Sequence, residues 1–191
     1  VTVFPHDFYP ATQWKSDMLW GAAEIAMADE AAGAPTARVR ADLAAAARWA
    51  RAYIAQGHDD TFNLYDTGAV AEAELIQAMR QADAFPISPA TLLADMAAQL
   101  RAGQAQAKGD PFALGSQLGD SDASPHAFGL YITDALYQKY GGSDPWNRFT
   151  PFAQQQLNFA LGANGWGTSF VVGAGTVFPH CMQSEIANLA G

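Results

Sequence analysis

Apolar residues recur every three or four positions in six stretches of the chain, the spacing that lines them up on one side of an α-helix. A first helix is expected over 11–32, with Trp14, Met18, Ala22 and Ile25 as its stripe and Gly33 and Pro35 to end it. A second, over 36–56, carries Leu43, Ala47, Ala50 and Ile54, and Gly57 can cap it. A third is expected over 67–82, with Asp66 as N-cap and Val70, Ala73, Ile76 and Met79 as stripe. Ser88-Pro89 opens a fourth over 89–106, with Leu93, Ala97 and Leu100 inward. Ser124-Pro125 opens a fifth over 125–140, with Phe128, Ile132, Leu136 and Tyr140, closed by Gly141-Gly142. Asp144-Pro145 opens a sixth over 146–161, with Phe149, Ala153, Leu157 and Leu161.

The fold class is therefore all-α, about six helices in antiparallel pairs. Three connections, 57–66, 107–124 and 162–191, are longer than the roughly 4–6 residues usual in compact domains, and function concentrates in such loops. Composition agrees with a packed body: 191 residues, 50% apolar and only 15% charged. Abundant alanine favours helix, because its side chain loses no rotamer freedom there.

A net charge of −9, with ten Lys and Arg spread thinly, argues against a nucleic-acid partner and suits a neutral substrate. No apolar run approaches the roughly 20 residues of a membrane span. The single cysteine, Cys181, excludes an internal disulfide.

The residues point to no metal and no cofactor. His6, His58, His126 and His180 lack partners at metal-ligand spacing, and His180-Cys181 alone is too few ligands for zinc. Asp120-Ser121-Asp122 lacks the acidic residue that closes a calcium loop. The glycines of 162–175 follow a helix rather than a strand, with no Lys-Ser/Thr pair after them, so they do not make a phosphate loop. No Gly-x-Ser-x-Gly elbow occurs. Glu24, Glu72 and Glu74 read as solvated helix positions, the last two facing different ways, and Asp59-Asp60 reads as a turn. Spacing alone identifies no catalytic pair. Trp14, Trp20, Tyr65, Trp146 and Trp166 fall at or near helix ends, where rings could stack on sugars, although large aromatics mostly fill cores.

Four segments together resemble glycoside hydrolase family 9, the cellulase and endoglucanase family: FYPATQWKSDMLWGAAEIAMA (8–28), DDTFNLYDTGAVAEAEL (59–75), DPFALGSQLGDSDASPHAFGL (110–130) and GANGWGTSFVVGAGTVFPHCMQSEIANLAG (162–191). They come in the family's order and span nearly the whole chain. The resemblance implies an (α/α)6 toroid, of which six helices are about half, with the cleft at the N-terminal ends of the inner helices. It implies an inverting enzyme acting on β-1,4-glucan, with one carboxylate activating water and another protonating the leaving oxygen. It also implies secretion.

The family's base motif, Asp-Ala-Gly-Asp, and its terminal acid glutamate are not found in 1–191, so no catalytic residue is assigned. Residues 1–191 are expected to form a partial domain, inactive alone, that self-associates or pairs with the rest of a parent chain. The resemblance carries over substrate contacts at Asp17, Tyr65, His126 and Trp166, and at the loop Gln183-Ser184-Glu185. Ser184 stands where histidine is usual, Glu185 where Arg or Gln is usual, and Leu118 where tryptophan is frequent. A hydroxyl reaches less far than an imidazole, and an ionised carboxylate donates nothing to a sugar oxygen. Two alternatives stay open: a non-catalytic glucan-binding or scaffold domain, and another helical toroid enzyme of different sugar specificity.

Overall fold

The computed structural model describes residues 14–57, 63, 66–116 and 123–180. Among these it is all-helical, with α1 (Trp14–Ala31), α2 (Thr36–Gln56), α3 (Gly68–Gln81), α4 (Pro89–Ala107), α5 (Ala123–Lys139) and α6 (Phe149–Ala160) and no strand. No described helix is long and apolar enough to cross a membrane.

The helix ends follow local chemistry. Ser88 Oγ accepts from Ala90 N–H, and Pro89 occupies the first turn of α4, as expected. Asp66 lies one residue outside the cap of α3, where its carboxylate accepts from Gly68 N–H at 2.7 Å. The start of α6 is later than the sequence suggests. Residues 144–147 close a turn, with Asn147 at φ +43°, and Asp144 Oδ2 instead accepts from the N–H groups of Arg148 and Phe149. Conversely, α5 starts at Ala123, so Ser124 and Pro125 lie inside its first turn. It ends where Gly142 N–H bonds Tyr137 O, and Gly142 lies so close to the Tyr137 ring that a Cβ would sit 2.4 Å from it.

α1 and α3 run parallel in a fixed register. Thr67 meets Asp17 and Gln77 meets Met27, each pair 50 residues apart. Further along, the Tyr140 hydroxyl donates to Gln77 Oε1, and Arg80 donates to Tyr140 O with its guanidinium over that ring. The C-terminal ends of α3 and α5 therefore coincide. α1, α3 and α5 form a parallel row, and α2, α4 and α6 return antiparallel along it. The helix ends that lead into the three long connections thus lie at one end, and the short turns 32–35, 82–88 and 140–148 at the other.

The core is rich in alanine: Ala23, Ala26, Ala46, Ala47, Ala50, Ala69 and Ala71 are buried beside Leu19, Leu43, Leu75, Ile76 and Met79. The stripes on α2 and α3 largely agree with expectation. That on α1 does not: Trp14, Met18 and Ile25 are exposed, and Leu19, Ala23 and Ala26 face inward. On α4 the expected Ala97 and Leu100 are buried, with Leu92 and Met96 in place of half-buried Leu93, and on α5 the buried side is rotated to Ala127, Leu130 and Tyr137. On α5 the series 128, 132, 136 and 140 repeats by four throughout, and each step drifts about 40° around a helix of 3.6 residues per turn, so it leaves any one face within three steps.

Residues 162–180 fold back on α6 without a helix of their own. Phe170 N–H bonds Ala160 O, and the Asn164 side chain bonds Phe159 O and Thr168 O. Buried Gln156 joins α6 to the loop after α4, accepting from Gly115 N–H and donating to Ala113 O. Replacing Gln156 by leucine keeps the volume and strands both backbone groups. Urea denaturation should show about 2–4 kcal/mol less stability, whereas Gln154→Leu on the exposed side should change it by roughly 0.5 kcal/mol or less.

Candidate functional site

The loop-bearing end presents a shallow groove of about 420 Å³ between α1 and the start of α3, lined by Asp17, Trp20, Gly21, Glu24 and Thr67. Asp17, Trp20 and Glu24 are three and four residues apart, so helical geometry alone puts them on one side of α1. Trp20 Nε1 donates to Glu24 Oε1 at 3.0 Å. The Thr67 hydroxyl donates to Asp17 Oδ1 at 3.1 Å. The groove thus combines an aromatic face with carboxylate oxygens that can accept from hydroxyl groups. Glu74 on α3 lies at the level of Glu24. Burial and the charge of Glu24 push its carboxyl up, against the pull of Lys139.

Beneath the groove is a buried polar cluster that sequence reasoning missed. Glu72 is not on a solvated face. It is fully buried, and Gln99 Nε2 donates to both Glu72 Oε2 and Asp95 Oδ2. The expectation failed because α3 packs against α4 as well as α1, which encloses the Glu72 side while Glu74, two residues on, stays half-buried. Burial, then the charge of nearby Asp95, holds the Glu72 carboxyl well above the ordinary value of 4.5. The Tyr53 hydroxyl donates to both oxygens of Asp66 and is pushed up by burial and by the same acidic neighbours.

Of the residues expected to touch substrate, Asp17 lines the groove. His126 is 5% exposed near the start of α5, and its neighbour Ala127 packs with Leu114, Phe159 and Ala160. Trp166 is 61% exposed and stacks on Phe112 at 6.3 Å, with Phe170 tilted against it at 5.9 Å. Trp14, Trp146 and Trp166 are not core residues, contrary to the usual fate of large aromatics. Tyr65, Leu118, Gln183, Ser184 and Glu185 lie outside the described residues, as do His6, His58, Asp59-Asp60, Asp120-Ser121-Asp122 and Cys181. Among the described residues no group of His, Cys, Asp and Glu is arranged to hold a metal ion. Trp20 was among the rings that could stack on sugars, whereas Glu24 and Thr67 were not foreseen as groove residues. The α1 spacing could have revealed Glu24 beside Asp17 and Trp20, whereas Thr67 depends on the register between two helices.

The sequence profile of Glycosyl hydrolase family 9 matches residues 2–190. The chain belongs to that family. No curated protein and no solved structure matches it. The glycosyl hydrolase family 9 fold is an (α/α)6 toroid, in keeping with the helices described here, and membership places the chain among glycoside hydrolases of β-glucans. In this family 9 chain the raised Glu72 carboxyl keeps its proton to higher pH in the folded state than in the unfolded chain, where it is released above its ordinary value of 4.5. Stability from this site is full below that pH and declines as pH rises above it. Thermal melts of wild type should therefore fall between pH 4.5 and 8 more steeply than those of Glu72→Gln. At pH 8 the variant, which needs no proton, should melt about 2–4 °C higher or more.

Proposed function

We propose that this chain forms part of the sugar-binding cleft of an inverting hydrolase of β-1,4-glucan, secreted to where polymeric glucan is met. The observation that carries the reading is the groove holding Asp17, Trp20, Glu24 and Thr67 at the loop-bearing end. A pyranose offers an apolar face to a ring and hydroxyl donors to carboxylates, and this groove supplies both partners. The exposed Trp166, backed by Phe112, supports a second platform for a sugar face. Tyr65, His126 and the loop Gln183-Ser184-Glu185 complete the proposed substrate contacts. The exposed Trp14, Met18 and Ile25 on α1 support self-association through that face.

Residues 1–191 contain no Asp-Ala-Gly-Asp motif, which is where the family resemblance puts the base, so the chain by itself is a partial domain that binds rather than cleaves. Calorimetric titration should detect cellotetraose binding. Asp17→Ala and Trp20→Ala should each weaken it roughly tenfold, the scale of one charge-assisted hydrogen bond or one lost ring face. Unaltered affinity in both variants would remove the groove from consideration. Incubating the purified chain with carboxymethylcellulose should release no reducing sugar, and clean turnover would refute the binding-only reading.

A further inference from the structure

The groove is tied to the core by one short path. Tyr53 on α2 is fully buried, and its hydroxyl lies 3.1 Å from both carboxylate oxygens of Asp66. Asp66 is buried as well and is fixed from both sides. Its carboxylate accepts from Gly68 N–H at 2.7 Å. Its own N–H donates to Asn63 Oδ1 at 3.1 Å, and Asn63 N–H donates to Asp66 O at 2.9 Å. Thr67 is held between these two anchored neighbours. Its N–H donates to Ser16 Oγ at 3.4 Å and its hydroxyl to Asp17 Oδ1 at 3.1 Å.

We propose that Tyr53 and Asp66 are positioning residues of the sugar groove: the buried pair fixes Thr67, and Thr67 fixes the rotamer of Asp17. This rests on the reading of the groove given above. Asp17 is exposed, so without a partner its side chain would sample several rotamers, and binding would have to freeze one of them. Thr67 pre-sets that choice only if its own backbone is fixed. The sequence accommodates the pair at one point of close approach. A Cβ on Gly68 would lie 1.9 Å from the Tyr53 hydroxyl oxygen, so a larger residue there would expel the hydroxyl from Asp66. The hydroxyl also stays protonated at any working pH and so remains a donor.

The test uses the whole chain, with Tyr53→Phe, Thr67→Val, Thr67→Ser and the double variant Tyr53→Phe/Thr67→Val. It reads amide hydrogen exchange and cellotetraose affinity. Tyr53→Phe should speed exchange at Thr67 and Gly68 about tenfold while leaving Ile76 and Met79 protected. It should also weaken cellotetraose binding about three- to tenfold. Thr67→Val should weaken binding equally, Thr67→Ser should restore it, and the double variant should be no weaker than Thr67→Val. If Tyr53→Phe does not fold, Asn63→Ala takes its place with the same expectations. Wild-type affinity in the Tyr53 variant, or losses that multiply in the double variant, would overturn the positioning role alone. A wild-type chain that binds no cellotetraose would overturn the glucan reading, and the positioning of a sugar contact with it.

Discussion

The packing of α3 against four other helices is the constraint on which the rest of this structure depends. It touches α1, α2, α4 and α5, and most of its fourteen residues are buried. A helix so enclosed can approach its neighbours only if the faces between them are small. That is where Ala69, Ala71, Ala73 and Ala78 lie, opposite Ala23, Ala26, Ala46, Ala47 and Ala50. Alanine contributes little buried area per residue. The larger Leu75, Ile76 and Met79 supply the bulk of the apolar burial on the same helix.

The same enclosure explains the buried acids. A carboxyl on the enclosed side of α3 cannot reach water, so Glu72 is pushed towards its neutral form and shares the amide of Gln99 with Asp95. A few residues earlier, where α3 emerges, Asp66 remains buried yet serves the backbone of the entering loop. The chemistry changes over two helical turns from a proton-holding interior, through a structural carboxylate, to the exposed acceptor Asp17 in the groove. Which side of its helix an acidic residue occupies, inward or towards the groove, decides which role it takes.

Much of the fold was legible in the sequence because punctuation marks helix ends strongly. Ser88-Pro89, Gly57 and Gly141-Gly142 each act close to where their chemistry places them. The facing of the helices was less legible. Alanine is compatible with burial and exposure alike, so the eye follows large residues such as Trp14 and Met18, which on α1 point outward. The groove was half legible. Asp17 entered through a family resemblance, and Trp20 and Glu24 share its side of α1 by simple spacing. Thr67, Glu72 and the Tyr53–Asp66 pair were not legible, because each depends on which turn of one helix meets which turn of another.

The register between α1 and α3 is set by contacts at both ends of the shared length, at Asp17 with Thr67 and at Met27 with Gln77. It works as a ruler laid along both helices. The short turn after α1 is not part of that measure, so a residue gained or lost in 32–35 could be absorbed without moving either mark. One gained inside α1 between Asp17 and Met27 could not: it would turn one mark about 100° relative to the other. Tolerance to insertion in this part of the molecule is thus set by which side of Ala31 the change falls, and hardly at all by how far it lies from the groove.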